Sequence, residues 1–114
     1  MDEIKKEKLL NLLGLCQKAS YLVSGEDNVI KEMRKGKLKI VFIASDSSLR
    51  TIDNFKRKCY FYNVFIYDKL SFDELSSSIG KSRKIIGLKD AKMYELVKKY
   101  LEVNEWISNK SLKS

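Results

Sequence analysis

Apolar residues along this chain recur at two alternating periods, one of three to four residues and one of two. That switching predicts helices interleaved with short strands. Over 3–20, Ile4, Leu9, Leu12, Leu13 and Cys16 fall on one side of a helix, with Lys5, Lys6 and Lys8 on its wet side. Tyr21-Leu22-Val23 follows as a brief strand, broken by Ser24-Gly25. A second helix is expected over 26–35, with Val29, Ile30 and Met33 inward, Ser24 as a candidate cap, Asp27 completing an imperfect capping box, and Gly36 as the stop. Residues 39–44 (KIVFIA) are apolar on both faces, which predicts a central strand.

After a polar loop at 45–48, Leu49, Ile52, Phe55 and Cys59 share one face of a helix over 49–62. VFIY at 64–67 is the next strand, and 71–79 a helix with Ser71 as its cap and Gly80 as its end. KIIGL at 84–88 is the last strand. Asp90 then opens a closing helix to about Val103, with Met93, Leu96, Val97 and Tyr100 inward. Strands alternating with helices make this an α/β chain, a three-layer α/β/α sandwich around a central four-stranded mixed sheet. The chain has no proline and no linker, so we expect one domain over 1–104 and a C-terminal extension over 105–114 that carries Trp106. Ligands of open α/β sheets gather at the carboxyl ends of strands, which directs attention to the loops at 24–28, 45–48 and 68–72.

Charge adds a partner class. The 114 residues carry 23 basic and 15 acidic side chains, a net +8, with the basic excess toward both ends of the chain. Such a balance favours a polyanion, nucleic acid first and an acidic membrane surface second. No apolar run approaches the roughly 20 residues that span a bilayer, and the first residues lack a signal core, so a cytoplasmic protein without a membrane partner is expected. Cys16 and Cys59 sit in apolar stretches without metal-ligand spacing and read as buried free thiols.

The absence of histidine removes the usual general base, most zinc sites and the Ser-His and Cys-His pairs. Asp46, Asp53, Asp68, Asp73 and Glu74 form no recognisable acid/base or metal set, and neither GxGxxG nor a Walker sequence is present. No catalytic role, cofactor or metal is expected. Tyr60, Phe61, Tyr62 and Phe65 read as core packing rather than base-stacking platforms, and Trp106 as the better exposed candidate. The basic turn Lys81-Ser82-Arg83-Lys84 reads equally as a phosphate contact or a solvated turn.

The segment with the most chemistry is Ser24-Gly25-Glu26-Asp27-Asn28-Val29-Ile30-Lys31. It puts polar side chains at a helix start, where free backbone N–H groups receive a phosphate or base carbonyl. Asp27 and Asn28 can meet base edges, Lys31 lies one turn on, and Arg34 extends the positive face. An ordinary capped helix with a solvated face fits the same local pattern.

With these residues in view, the chain resembles the kink-turn-binding ribosomal-protein family of the seven-Ae and thirty-e large-subunit type, in its YlxQ-like bacterial branch. The likeness runs from about Leu10 to Leu101, strongest over 12–46 and weaker over 70–88. The family pattern of Gly-x-Asn-Glu or Gly-x-Lys-Gln, two residues and a lysine corresponds to Gly25, Asp27, Asn28 and Lys31. The resemblance implies binding to a sharply bent RNA through sheared G·A pairs and flanking phosphates, with an apolar loop over an extruded base. Gly25 would let the backbone approach, Asp27 and Asn28 would face the guanine edges, and Lys31 a phosphate or base oxygen, with Glu26 among the binding residues. Arg34 would assist by charge, and loops at Asp46 and at Leu70 and Ser71 would complete the site. Two departures stand out: the polar pair is Asp27-Asn28, and the family glycine after Glu74-Leu75 is Ser76. The expected partner is structured RNA, with ribosomal RNA among the candidates, bound by a monomer in a ribonucleoprotein. The alternative is a protein–protein adaptor that uses the same fold.

Overall fold

The structure, a computed structural model, describes residues 3–101. Its element order is α1 (Glu3–Lys18), β1 (Leu22–Ser24), α2 (Glu26–Arg34), β2 (Ile40–Ile43), α3 (Leu49–Tyr62), β3 (Phe65–Tyr67), α4 (Phe72–Ile79), β4 (Ile85–Leu88) and α5 (Ala91–Lys98). The four strands form one mixed sheet in the order β1-β4-β2-β3. β2 runs parallel to β3, while β4 is antiparallel to both β1 and β2.

Alternation along the two inner strands decides the layers. Ile40, Phe42, Ile86 and Leu88 point to one face, where Leu9, Leu13 and Cys16 of α1, Leu75 and Ile79 of α4, and Val97 of α5 cover them. Val41, Ile43 and Ile85 point to the other, under Val29 and Met33 of α2 and Ile52, Phe55 and Cys59 of α3. All four residues of β2 and of β4 are buried, as expected of strands covered on both sides. The expected α/β/α sandwich is therefore observed. The cysteines lie in opposite layers, both buried and neither in a disulfide. Burial, followed by the Asp90 carboxylate, pushes the Cys16 thiol up to about 11.

Several local expectations change. Ser24 does not cap α2: it is the last residue of β1, opposite Ile86. Gly25 takes the cap position at φ 93 and ψ 148, open to glycine, and no side chain caps the helix. Leu49, the first residue of α3, is 80% exposed, and burial on this helix begins with Ile52 and Phe55. Ile4 likewise lies outside the core, one turn before Leu9 reaches it. Lys6, assigned to the wet side, is half-buried against Glu74 of α4. α5 closes at Lys98, and Leu96 faces solvent while Tyr94 and Val97 face inward. Leu101 still docks in the core, so burial continues past the helical turns. Val103, Trp106 and the extension 105–114 lie outside the described residues. Among the described residues, no helix is long and apolar enough to cross a membrane.

α1 and α4 pack at Gly14, where an added Cβ would stand 2.8 Å from the Ser78 carbonyl oxygen. Replacing a helix-interior glycine by alanine favours the isolated helix by about 1 kcal/mol. Here that gain competes with an overpacking cost of about 1–3 kcal/mol against rigid backbone. Gly14→Ala is expected to lower stability by about 1 kcal/mol in urea unfolding; an unchanged or raised midpoint would show that the two helices separate freely.

Candidate nucleic-acid interface

The sheet brings four chain segments to one end. β1, β2 and β3 terminate there, and because β4 runs the other way, its amino end lies between them. Backbone hydrogen bonds stitch this edge together. Gly25 N–H donates to Ile85 O (3.0 Å), Ala44 N–H to Lys84 O (2.8 Å) and Ser45 N–H to Leu70 O (2.8 Å). The three loops singled out by strand-end logic thus meet, and the turn entering β4 joins them.

An open groove of about 560 Å³ occupies this end, lined by Gly25 to Asn28 on one side and Phe72 and Ser82 to Lys84 on the other. Gly25 is needed there for its backbone: at φ 93 it turns the chain from β1 into α2, and its N–H remains tied to β4. Without a side-chain cap, the first turn of α2 directs unpaired N–H groups and the positive end of its dipole outward. Asn28 Nδ2 donates to Ser24 O at 3.2 Å, which fixes the amide and leaves its oxygen as an acceptor. Glu26 and Asp27 are exposed acceptors beside it.

The remaining candidates divide. Lys31 is exposed one turn beyond Asp27, on the same stripe of α2 but outside the groove lining. Arg34 occupies the last turn, about 13 Å along the axis from Gly25, so the structure does not bring it to the groove. Asp46 works from the adjoining loop, where its Oδ1 accepts from the Phe72 N–H at 2.9 Å. Leu70 corrects an expectation: it is 1% exposed in the core and presents only its carbonyl to Ser45. The apolar side chain at the groove is Phe72, two residues on, which is 36% exposed. Ser71 is engaged in a complete capping box, its hydroxyl accepting from Glu74 N–H and its own N–H donating to Glu74 Oε1 at 2.8 Å.

Two contributors were not among the expected site residues. Phe72 follows a helix cap and gives no periodic signal of exposure. The turn at Lys81 to Lys84 was left open, and its position depends on β4 entering between β1 and β2. Ser76 holds this turn: its hydroxyl accepts from Arg83 N–H at 3.1 Å and donates to Arg83 O at 3.2 Å. The serine that stands where the resemblance implied a glycine clamps the basic loop to α4. Among the described residues, no group of three or more His, Cys, Asp or Glu is placed to hold a metal ion.

This architecture has known counterparts. The family described as Ribosomal protein L7Ae/L30e/S12e/Gadd45 matches residues 7–97. The RNA-binding protein YlxQ of Enterococcus faecium is 36% identical over 102 residues, covering 90% of this chain and 99% of that protein. The RNA-binding protein YlxQ of Bacillus subtilis (strain 168) is 40% identical over 75 residues, 66% of this chain and 75% of that one. Among solved structures, a protein of unknown function from Bacillus halodurans aligns with a TM-score of 0.78 at 32% identity, covering 82% of this chain and 95% of its own. The 15.5kD RNA binding protein of Giardia lamblia aligns at 0.75 and 17% identity over 96% and 92%, a likeness of fold.

Two measurements test the scaffolding of this edge. Ser76→Ala is expected to speed amide exchange at Arg83 while leaving that of β2 unchanged; unaltered Arg83 exchange would show that the clamp holds nothing. Lys6 Nζ meets Glu74 Oε2 at 2.5 Å, joining α1 to the same helix start. Burial opposes charge on Glu74, but the Lys6 ammonium and the Ser71 donors outweigh it and hold the carboxyl below its usual 4.5. A carboxyl lowered on folding stabilises the fold above the unfolded value and loses that stability as pH falls through the folded one. Acid titration from pH 5 downward should therefore destabilise the wild type more steeply than Glu74→Gln, and parallel curves would refute the coupling.

Proposed function

The chain belongs to the ribosomal protein L7Ae/L30e/S12e/Gadd45 family, and on that premise we propose that it binds structured RNA of the kink-turn type through the strand-end groove, without a catalytic step. The observation that carries this reading is the convergence of base-edge acceptors and cations on opposite walls of one groove. Asp27 and the Asn28 oxygen can accept from guanine N–H groups, which phosphates lack. Arg83 and Lys84 across the groove meet phosphates, as do the free N–H groups of the first turn of α2. Lys31 holds the flanking backbone one turn further along. Phe72 takes the role of apolar cover over an unpaired base that the resemblance assigned near Leu70 and Ser71, and Asp46 positions it.

The net charge of +8 supports a polyanionic partner, as do the names of the two YlxQ relatives. We place the protein in the cytoplasm as a monomer that joins a ribonucleoprotein, with ribosomal RNA as the first RNA to examine. Residues 1–104 act as the RNA-binding domain in this reading, and 105–114 as an extension.

The test compares a labelled kink-turn RNA with a straight duplex of equal length at two salt concentrations. Wild type should prefer the kink-turn, and Lys31→Ala should weaken it about tenfold, or about 1.4 kcal/mol, with a salt slope shallower by about 1. Equal and wholly salt-driven binding to both RNAs would reduce the site to a generic basic surface.

A further inference from the structure

The end of the molecule opposite the groove carries exposed aromatic rings set among cations, and the groove reading does not use them. α2 and α3 lie side by side over the same sheet face, and both finish at this end. The chain leaves α2 through Lys35 and Lys37 to enter β2, and leaves α3 through Asn63 to enter β3. Ile40 pairs with Phe65, so Lys39 and Val64, one residue earlier on each strand, lie about one strand spacing apart, roughly 5 Å.

Tyr60 and Phe61, which the sequence assigned to core packing, are corrected here: Tyr60 is 50% exposed and Phe61 78%. The physical reason is helical phase, since Phe55 and Cys59 already fill the inward stripe of α3. Phe61 packs against Tyr62 in a T-shaped arrangement, with ring centroids 4.9 Å apart, and stays largely exposed. Arg57, one turn earlier on the same side, is exposed, as are Lys37 and Lys39 from the neighbouring segment. Lys35 is offset by Glu32 at 3.5 Å, an exposed pair of little strength.

We propose that this end is a second RNA contact that takes a single-stranded segment, with Tyr60 and Phe61 stacking on bases and Arg57, Lys37 and Lys39 meeting phosphates. Rings interleaved with cations match unpaired nucleic acid, whose bases stack on any aromatic face while the backbone follows positive charge. Protein interfaces share the aromatic and arginine enrichment but deplete lysine at their centres, and two of the three cations here are lysines. The proposal rests on the RNA-binding reading above and extends it to the flank of the structured RNA. The molecule measures 30 × 29 × 28 Å, so an unpaired flank of about 12 nucleotides, at no less than the stacked rise of about 3.4 Å each, is long enough to extend from one end past the other.

The experiment measures affinity for a blunt kink-turn RNA and for the same RNA with an unpaired flank of about 12 nucleotides. Wild type, Lys31→Ala and the double variant Arg57→Ala/Phe61→Ala are compared. Both residues of the double variant are exposed, so its melting curve should match wild type. The flank is expected to tighten wild-type binding at least fivefold, the cost of about one lost base stack. The double variant should lose that gain and still bind the blunt RNA like wild type. A flank that adds nothing, or a gain that survives the double variant, overturns the proposal. If the blunt RNA is not bound, the groove reading fails separately. Ultraviolet crosslinking to the single strand alone then decides: adducts on tryptic peptide 59–69 support the second contact, and adducts elsewhere or none overturn it. Competition by poly-glutamate as effective as unlabelled single strand would mark an acidic-protein surface and also overturn it.

Discussion

The pairing of β4 between β1 and β2 is the constraint on which both the core and the groove depend. β4 has all four residues buried and hydrogen-bonds on both edges, so it can sit only inside the sheet. Its antiparallel direction puts its first residues where β1 and β2 end. The same backbone bonds that complete the sheet, Gly25 N–H to Ile85 O and Ala44 N–H to Lys84 O, therefore fix the spacing between the start of α2 and the basic turn. Two segments lining the strand-end groove are therefore placed by one strand. Gly87 lies in the same strand at a tight approach, where a Cβ would stand 2.9 Å from Leu38, so the strand that sets the groove also tolerates little change in its own packing.

Much of the fold was legible because the hydrophobic period is unambiguous where it matters. KIVFIA and KIIGL are apolar on both faces, and both proved to be inner strands. Ser71 with Glu74 three residues on, followed by Gly80, read as a capped and terminated helix, and the cap and the left-handed stop are both present. Ser24 failed as a cap for a reason no local pattern carries: the residue is needed in β1, and Gly25 reaches a backbone region closed to other residues. The position of the turn at 81–84 was illegible because strand order is a non-local property; a parallel β4 would have sent that turn to the far end.

The aromatic residues show the same limit from another side. Leu70 and Phe72 are separated by one residue, yet the turn into α4, where the Asp46 carboxylate accepts from the Phe72 N–H, leaves the first buried and the second exposed. At the end of α3, the consecutive Tyr60, Phe61 and Tyr62 cannot all face the core, because a helix advances about 100° per residue. Composition suggested burial for each of them, while phase allows it only for those that follow Phe55 and Cys59.

Charge placement links these features. The groove wall at Glu26 and Asp27 is acidic, which suits the helix dipole but repels a phosphate backbone. The basic turn lines the same groove, where Ser76 holds the Arg83 backbone and the guanidinium donates to Ser82 O at 2.9 Å. A glycine at that position would free the backbone but hold nothing. The departures at Asp27 and Ser76 thus fall on the two segments that line one groove, the first in the start of α2 and the second behind the basic turn. The acidic start of α2 and the basic turn at 82–84 line one groove, so the two signs of charge belong to a single site.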